Sequence, residues 1–170
     1  VKQRWKVYAI SKKVSFEYYA DDVIFTPPPQ SLLKNLGDSL DRNHDYKNRI
    51  QSLPNPSGAL VFYSALKKEH IKSISSNHYQ FISNELGSLF VSISEDGDGR
   101  APKGEITLIA SLFTKTNDWF SLDKQGYINK KKDYLKKISN VLESQFDIAS
   151  ENWLHKELAT PLGFEKWTNR

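Results

Sequence analysis

The chain has 170 residues, 38% of them hydrophobic and 26% charged, which suits one sizeable buried core with room for an appendage in an ordinary globular protein. It contains no cysteine, so disulfides and thiolate metal centres are excluded, and no apolar run approaches the roughly 18 residues of a membrane-spanning helix. The net charge of +4 permits weak attraction to nucleic acid or anionic lipid without demanding either, and a solvated surface with a modest lysine excess accounts for it.

Methionine is absent, position 1 included. The chain opens on Val1-Lys2-Gln3-Arg4-Trp5, as if approaching a strand, and closes on Trp167-Thr168-Asn169-Arg170. Both ends are expected to be cuts through a longer protein.

In chain order, "WKVYAISKKVSFEYYADDVIFTPPPQ" predicts strand, hairpin, strand and a proline stop. Val14, Phe16 and Tyr18 alternate with Ser15 and Glu17, the period of a half-buried strand. Val23-Ile24-Phe25 is a short continuous apolar run, which suits a strand buried on both faces and ended by Pro27-Pro28-Pro29. "QSLLKNLG" predicts one or two helical turns capped by Gly37, and a short helix is expected around Tyr46–Leu53 before the extended "SLPNPSG". Strands are then predicted at "ALVFYSAL" (59–66), "HYQFIS" (78–83), "SLFVSIS" (88–94) and "EITLIASLF" (105–113). Their short connections favour an antiparallel sheet with the spacing of a meander.

From Gly126 to Phe146 the period changes. Ile128, Leu135, Ile138, Val141, Leu142 and Phe146 share one helical face, which should cover one side of the sheet, while Lys130, Lys132, Asp133, Lys137 and Asn140 largely face away. "NWLHKEL" (152–158) reads as a strand, and "ATPLGFEKW" turns into a short helix with Pro161 in its first turn. The fold class is α+β: an antiparallel sheet covered on one face by helices.

The acidic, glycine-containing stretch "SEDGDGRAPKGE" fails as a calcium loop. Counted from Asp96, the third position is Asp98, but Arg100 and Ala101 take the fifth and sixth and Thr107 takes the place of the bidentate glutamate. It also lacks the lysine–hydroxyl ending of a phosphate loop and leads into a strand rather than a helix. What remains is a connection between two antiparallel strands, its glycines supplying positive φ. His44, His70, His78 and His155 lie in separate segments without ligand spacing, so no metal site is expected. No G-x-S-x-G elbow supports a hydrolase triad, and the scattered carboxylates select no acid–base pair.

Both alternating sets of "ALVFYSAL" are largely apolar: Leu60, Phe62 and Ser64 on one side, Val61, Tyr63 and Ala65 on the other. Both sheet faces are therefore expected to be covered, one by the long helix and the other by further protein or an apolar ligand. The sheet's aromatic residues Phe62, Tyr63, Tyr79, Phe81, Phe90 and Phe113 lack the basic–aromatic signature of base-stacking sheets, so ordinary packing is favoured for each ring and no nucleic acid partner is expected.

Three stretches together resemble one family. "YYADDVIFTPPPQSLLKNLG" is similar to the segment of flavin-containing amine oxidases and phytoene desaturase-like proteins where a hairpin leads to A-D-x-V-I-x-x-x-P. "DGRAPKGEITLIASLF" resembles the A-P-x-G element of their substrate-domain sheet, and "HKELATPLGFEKWTNR" their T-P-x-x-F segment. The closest flavour is the carotenoid C-3′,4′ desaturase branch. No G-x-G-x-x-G follows a strand, and the family's glycine-rich C-terminal flavin motif is also missing.

The resemblance implies a strip of flavin-domain hairpin and strand (1–36), a substrate domain (37–158) with the long helix 126–146, and a return segment to the flavin domain (159–170). It implies that the parent protein is an FAD-dependent oxidoreductase that desaturates or isomerises carotenoid-like polyenes. FAD is not expected to stay bound to this chain alone, which should be inactive. Thr26 and Pro27 carry over as cofactor-binding residues, where the family's backbone approaches FAD; they could equally just end a strand. Arg100 to Gly104 is read as a hairpin connection that could border the substrate path. No catalytic residue is transferable. The implied partners are an apolar polyene substrate and the remainder of the flavin domain, in a cytoplasmic protein with room for a peripheral membrane contact.

The alternatives are a non-enzymatic lipid- or isoprenoid-binding module, an amine oxidase-type flavoenzyme with another substrate, and a weak nucleic-acid binder using Lys130–Lys132, Lys136 and Lys137.

Overall fold

A computed structural model describes residues 4–36, 40, 43–54, 56–72 and 74–168. The chain is α+β and divides into two compact units, Val1–Pro54 and Asn55–Arg170. The division falls after Pro54, whereas the sequence reading sets a boundary at 36/37.

In the first unit, β1 (Trp5–Ser11) and β2 (Val14–Ala20) form an antiparallel hairpin, with Trp5 opposite Ala20 and Ser11 opposite Val14. The two-residue turn is Lys12-Lys13, with φ of 48° and 67°. That is the left-handed pair of a primed hairpin turn, which matches strand twist but is normally given to Asn-Gly. One face of the hairpin carries Trp5, Val7, Ala9, Val14, Phe16 and Tyr18, with Phe16 and Tyr18 stacked at 6.4 Å. The other holds Lys6, whose Nζ is 2.9 Å from Glu17 and lies over the rings of Tyr8 and Tyr19. Hydrogen bonds from Lys6 to Tyr8 and Glu17 hold its ammonium well above the usual lysine range.

The buried strand expected at Val23-Ile24-Phe25 does not form: the segment has no regular structure and Ile24 is 90% exposed. An apolar run makes an internal strand only where neighbouring strands accept its backbone, and none pairs with it among the described residues. Helix α1 (Pro29–Leu36) starts on a proline, whose missing N–H costs nothing there. Gly37, its expected cap, lies outside the described residues, as do residues 1–3, 169 and 170. Helix α2 (His44–Gln51) begins two residues before the predicted start because Asn43 caps it, accepting the Tyr46 N–H at 3.2 Å.

The second unit is a five-stranded sheet of order β4-β5-β6-β3-β7, antiparallel throughout. Its strands are β3 (Ser57–Lys67), β4 (His78–Ser83), β5 (Gly87–Ile93), β6 (Glu105–Lys115) and β7 (Trp153–Ala159). The meander holds for β4, β5 and β6, but β3 lies beyond β6 rather than beside β4. The long partners explain the placement: β3 and β6 pair over eleven residues each, from Ser57 opposite Lys115 to Lys67 opposite Glu105.

Helix α4 (Lys124–Phe146) is capped by Asp123, which accepts the Gly126 N–H at 2.7 Å, and ends at Asp147 in the left-handed region. Ile138, Leu142 and Phe146 are buried against Leu60, Phe62, Leu89, Val91, Leu108 and Ala110 of the sheet. Phe146 meets Tyr79 and Phe81 edge-on at 5.0 and 5.6 Å. A short helix α3 (Asn117–Phe120) inserts the fully buried Trp119, whose Nε1 donates to Thr114 Oγ1 at 2.9 Å. Helix α5 (Pro161–Thr168) follows β7 so closely that a Cβ on Gly58 would sit 2.7 Å from Pro161 Cγ.

These helices cover one side only. Leu60, Phe62, Ser64 and Leu66 of β3 and Ile106, Leu108, Ala110 and Leu112 of β6 are buried, while their alternates are partly or fully exposed. The long helix covers one face, as the sequence reading expects; the second cover it expects, further protein or an apolar ligand, is not one of these helices.

Candidate functional site

The open face of the five-stranded sheet is a feature the core does not use. Strand register sets its side chains in rows across the sheet. One row runs Gln80, Phe90, Ser111, Val61 and Ala159; the next runs His78, Ser92, Ile109, Tyr63 and Glu157. His78 stacks on Phe90 at 5.8 Å, and Gln80 Nε2 donates to Ser88 Oγ at 2.8 Å. Phe113 is 84% exposed, and Tyr63 and Phe90 are also open to solvent. On β3, β5 and β6 the open face carries no carboxylate or ammonium group between the Lys67–Glu105 pair at one end and Lys115 at the other. Chemically, such a face can bury and orient an apolar ligand. Its β3, β5 and β6 strands offer no acid–base pair; at the β7 edge His155 and Glu157 lie 3.8 Å apart.

The β5–β6 connection closes on itself. Asp98 accepts the Arg100 side chain at 2.7 Å and the backbone N–H groups of Arg100 and Glu95, both at 2.9 Å. The Arg100 guanidinium, then these N–H donors, hold the Asp98 carboxyl below the usual carboxylate range. Asp96 accepts the Gly104 N–H at 2.9 Å and lies 3.7 Å from Lys68 Nζ. Gly97, Gly99 and Gly104 all have positive φ, as the hairpin reading expects. The loop's Asp96 and Asp98 are thus occupied in shaping the turn, and Arg100–Gly104 is a strand connection.

Thr26 and Pro27 are both exposed, in the irregular segment between β2 and α1 of the first unit. The four histidines are not brought together: His44 opens α2, His70 is 3.7 Å from Glu69, His78 lies on Phe90, and His155 is 3.8 Å from Glu157. Among the described residues no group of three or more potential ligands is placed to hold a metal ion. Of the lysines on α4, Lys130 donates to the Asp118 carbonyl at 2.9 Å and sits over Trp119, and Lys137 bridges Glu85 and Asp133, each at 2.9 Å. Its hydrogen bonds to Asp133 and Glu85 hold the Lys137 ammonium well above its ordinary range. These two cations are already engaged within the fold, so they offer little to a phosphate backbone.

Two features have no signal in the sequence pattern. The Tyr79 phenol oxygen accepts the backbone N–H groups of Ser75 and Ser76 at 2.6 and 2.9 Å. Burial alone would raise the Tyr79 pKa, but the donors from Ser75 and Ser76 outweigh it and lower it. The second is a groove of about 480 Å³ between β4 and α4, lined by Phe81, Ile82, Glu85, Lys137, Val141 and Ser144 among others. Both depend on which segments meet in space. No helix among the described residues is long and apolar enough to cross a membrane.

No protein-family model, curated protein or solved structure matches this chain.

Proposed function

We propose that the chain supplies the substrate domain of an FAD-dependent oxidoreductase acting on carotenoid-like polyenes, by desaturation or isomerisation. The observation that carries this reading is the open sheet face, with exposed Tyr63, Phe90 and Phe113 and no carboxylate or ammonium group across the middle of β3, β5 and β6. A polyene has almost nothing to hydrogen-bond, so its recognition rests on apolar contact, at about 25 cal/mol per Å² of buried area. An aromatic wall meets that demand, and the lack of an acid–base pair on β3, β5 and β6 is no obstacle where the cofactor carries the redox chemistry.

The hairpin β1–β2 adds support. Its apolar residues remain largely exposed on both faces, and an isolated two-stranded hairpin is marginal in water. In this reading it packs on the remainder of the flavin domain. The described residues do not themselves fit a flavin cradle: their strands pair only antiparallel, and no glycine-rich turn leads from a strand into a helix. Thr26 and Pro27 could at most border the cofactor. The part of this chain is to hold the polyene and keep water from it.

A self-contained isoprenoid carrier is less well supported, because the space between sheet and α4 is filled by Phe62, Leu108, Ile138, Leu142 and Phe146 rather than left as a pocket.

Titrating the chain with a carotenoid dispersed in neutral micelles tests the proposal through quenching of tryptophan fluorescence. Quenching should saturate, and Phe113→Glu and Phe90→Glu should each weaken the polyene's binding by at least about tenfold, the worth of one buried ring. Absence of saturable quenching, or variants that bind like the parent, would overturn it.

A further inference from the structure

We propose that β4 is a dimerisation edge, at which two copies of this chain pair antiparallel about Gln80 and join their sheets across a twofold axis. This goes beyond the functional reading above and does not depend on it.

Among the described residues strand β4 is an outer strand, bonded only to β5. The phase of that ladder is set by the Ile93 N–H, which donates to the Asn77 carbonyl at 2.9 Å. In an antiparallel pair the bonded residues alternate, so Tyr79 and Phe81 turn their backbone groups toward β5. His78, Gln80 and Ile82 turn theirs outward. The His78 N–H bears this out by donating to Ser76 Oγ at 3.2 Å, a solvent-side contact that pairing would replace.

The three outward residues are symmetric about Gln80. Placing Gln80 opposite Gln80 of a second copy sets His78 opposite its Ile82, and all three positions can exchange bonds. Because the spacing is even, each strand's open-face residues stay on the open face, and the Tyr79–Phe81 set stays on the helix side. A one-residue shift would break both conditions. Ile82 is 78% exposed in the single chain and gains a cross-strand neighbour in the pair. On the helix side, Tyr79 and Phe81 of each copy stay packed on their own Phe146, so pairing the edges disturbs neither core.

The two edges of the sheet are also treated differently. Strand β7 carries His155, Lys156 and Glu157 and a bulge in which Leu154 is skipped between the partners of Ala65 and Leu66. Charges and bulges are the usual guards against edge pairing. Strand β4, "HYQFIS", has no lysine, carboxylate, proline or bulge along its pairing with β5.

Sedimentation equilibrium on the full chain, with residue-resolved amide exchange, tests the proposal. The chain should dimerise reversibly with concentration. Amides of Gln80 and Ile82 should slow in exchange as the dimer fills, while those of Tyr79 and Phe81 should not change. Gln80→Pro removes an outward donor without touching the β5 ladder, and Ile82→Lys places a charge at the seam. Each should raise the dimer dissociation constant by at least about tenfold, the worth of one lost bond pair. Should Gln80→Pro unfold, Ile82→Lys and the exchange pattern decide alone. A chain that stays monomeric up to its solubility limit, or a dimer indifferent to these substitutions, would overturn the proposal.

Discussion

The hairpin β1–β2 and the five-stranded sheet are built from the same kind of sequence, yet their side chains meet different fates. Both alternate, both are rich in Phe and Tyr, and both are antiparallel. In the sheet, Leu60, Phe62, Leu108 and Ala110 are wholly buried, because α4 lays Ile138, Leu142 and Phe146 over them. In the hairpin, Tyr8, Ile10, Phe16 and Tyr18 remain exposed, because two strands alone enclose nothing. Alternation makes a strand. Burial needs a second layer, and the stability of the two regions should differ accordingly.

The largest expected contrast is therefore between two phenylalanines. Phe146→Ala removes a ring clasped by Tyr79 and Phe81 and should cost about 3–5 kcal/mol in urea unfolding monitored at Trp119. Phe16→Ala, on the exposed hairpin, should shift the same transition by less than about 0.5 kcal/mol. Equal losses would mean that the hairpin ring is covered by something in solution. A middle-sized effect sharpens the sheet's side of the comparison. Gly58→Ala drives a Cβ to within 2.7 Å of the Pro161 ring, which cannot swing away as a flexible side chain would. It should destabilise by about 1–3 kcal/mol, read as a lowered thermal midpoint. Pro161→Ala should restore part of that loss in the double variant.

Much of the fold was readable because its signals are local. Strands β3 to β7 lie within two residues of their predicted bounds, and β4 coincides with "HYQFIS". Helix α4 starts at Lys124 rather than Gly126, the difference being the Asp123 cap. What failed was non-local. Val23-Ile24-Phe25 has the composition of an internal strand but no neighbouring strand, and the placement of β3 beside β6 follows from a length match between segments far apart in the chain. The candidate site was half readable. "ALVFYSAL" shows apolar residues on both faces, but nothing in it tells which face α4 takes, so Tyr63 and Phe62 look alike until the helix is placed. Thr26 and Pro27 rest on a resemblance that sets them at the end of a strand, and Val23-Ile24-Phe25 forms no strand.

The smallest effect concerns pH and the loop that joins β5 to β6. Asp98 is held below its ordinary value of 3.8 by the Arg100 side chain and by the N–H groups of Arg100 and Glu95. A carboxyl depressed in the folded state binds its proton more readily in the unfolded chain, so its contribution is complete above 3.8 and fades as pH falls through the lower folded value. Asp98→Asn keeps an acceptor for the Glu95 and Arg100 amides but has no proton to gain. The variant should be slightly less stable than the parent at neutral pH, and the gap should close as the pH drops below 3.8. Thermal midpoints of both proteins between neutrality and acid would show the two curves converging. Parallel curves would mean that Asp98 titrates alike folded and unfolded, and that the loop's shape rests on its glycines and backbone alone. Because the loop is exposed and Arg100 is a flexible partner, added salt should narrow the gap further.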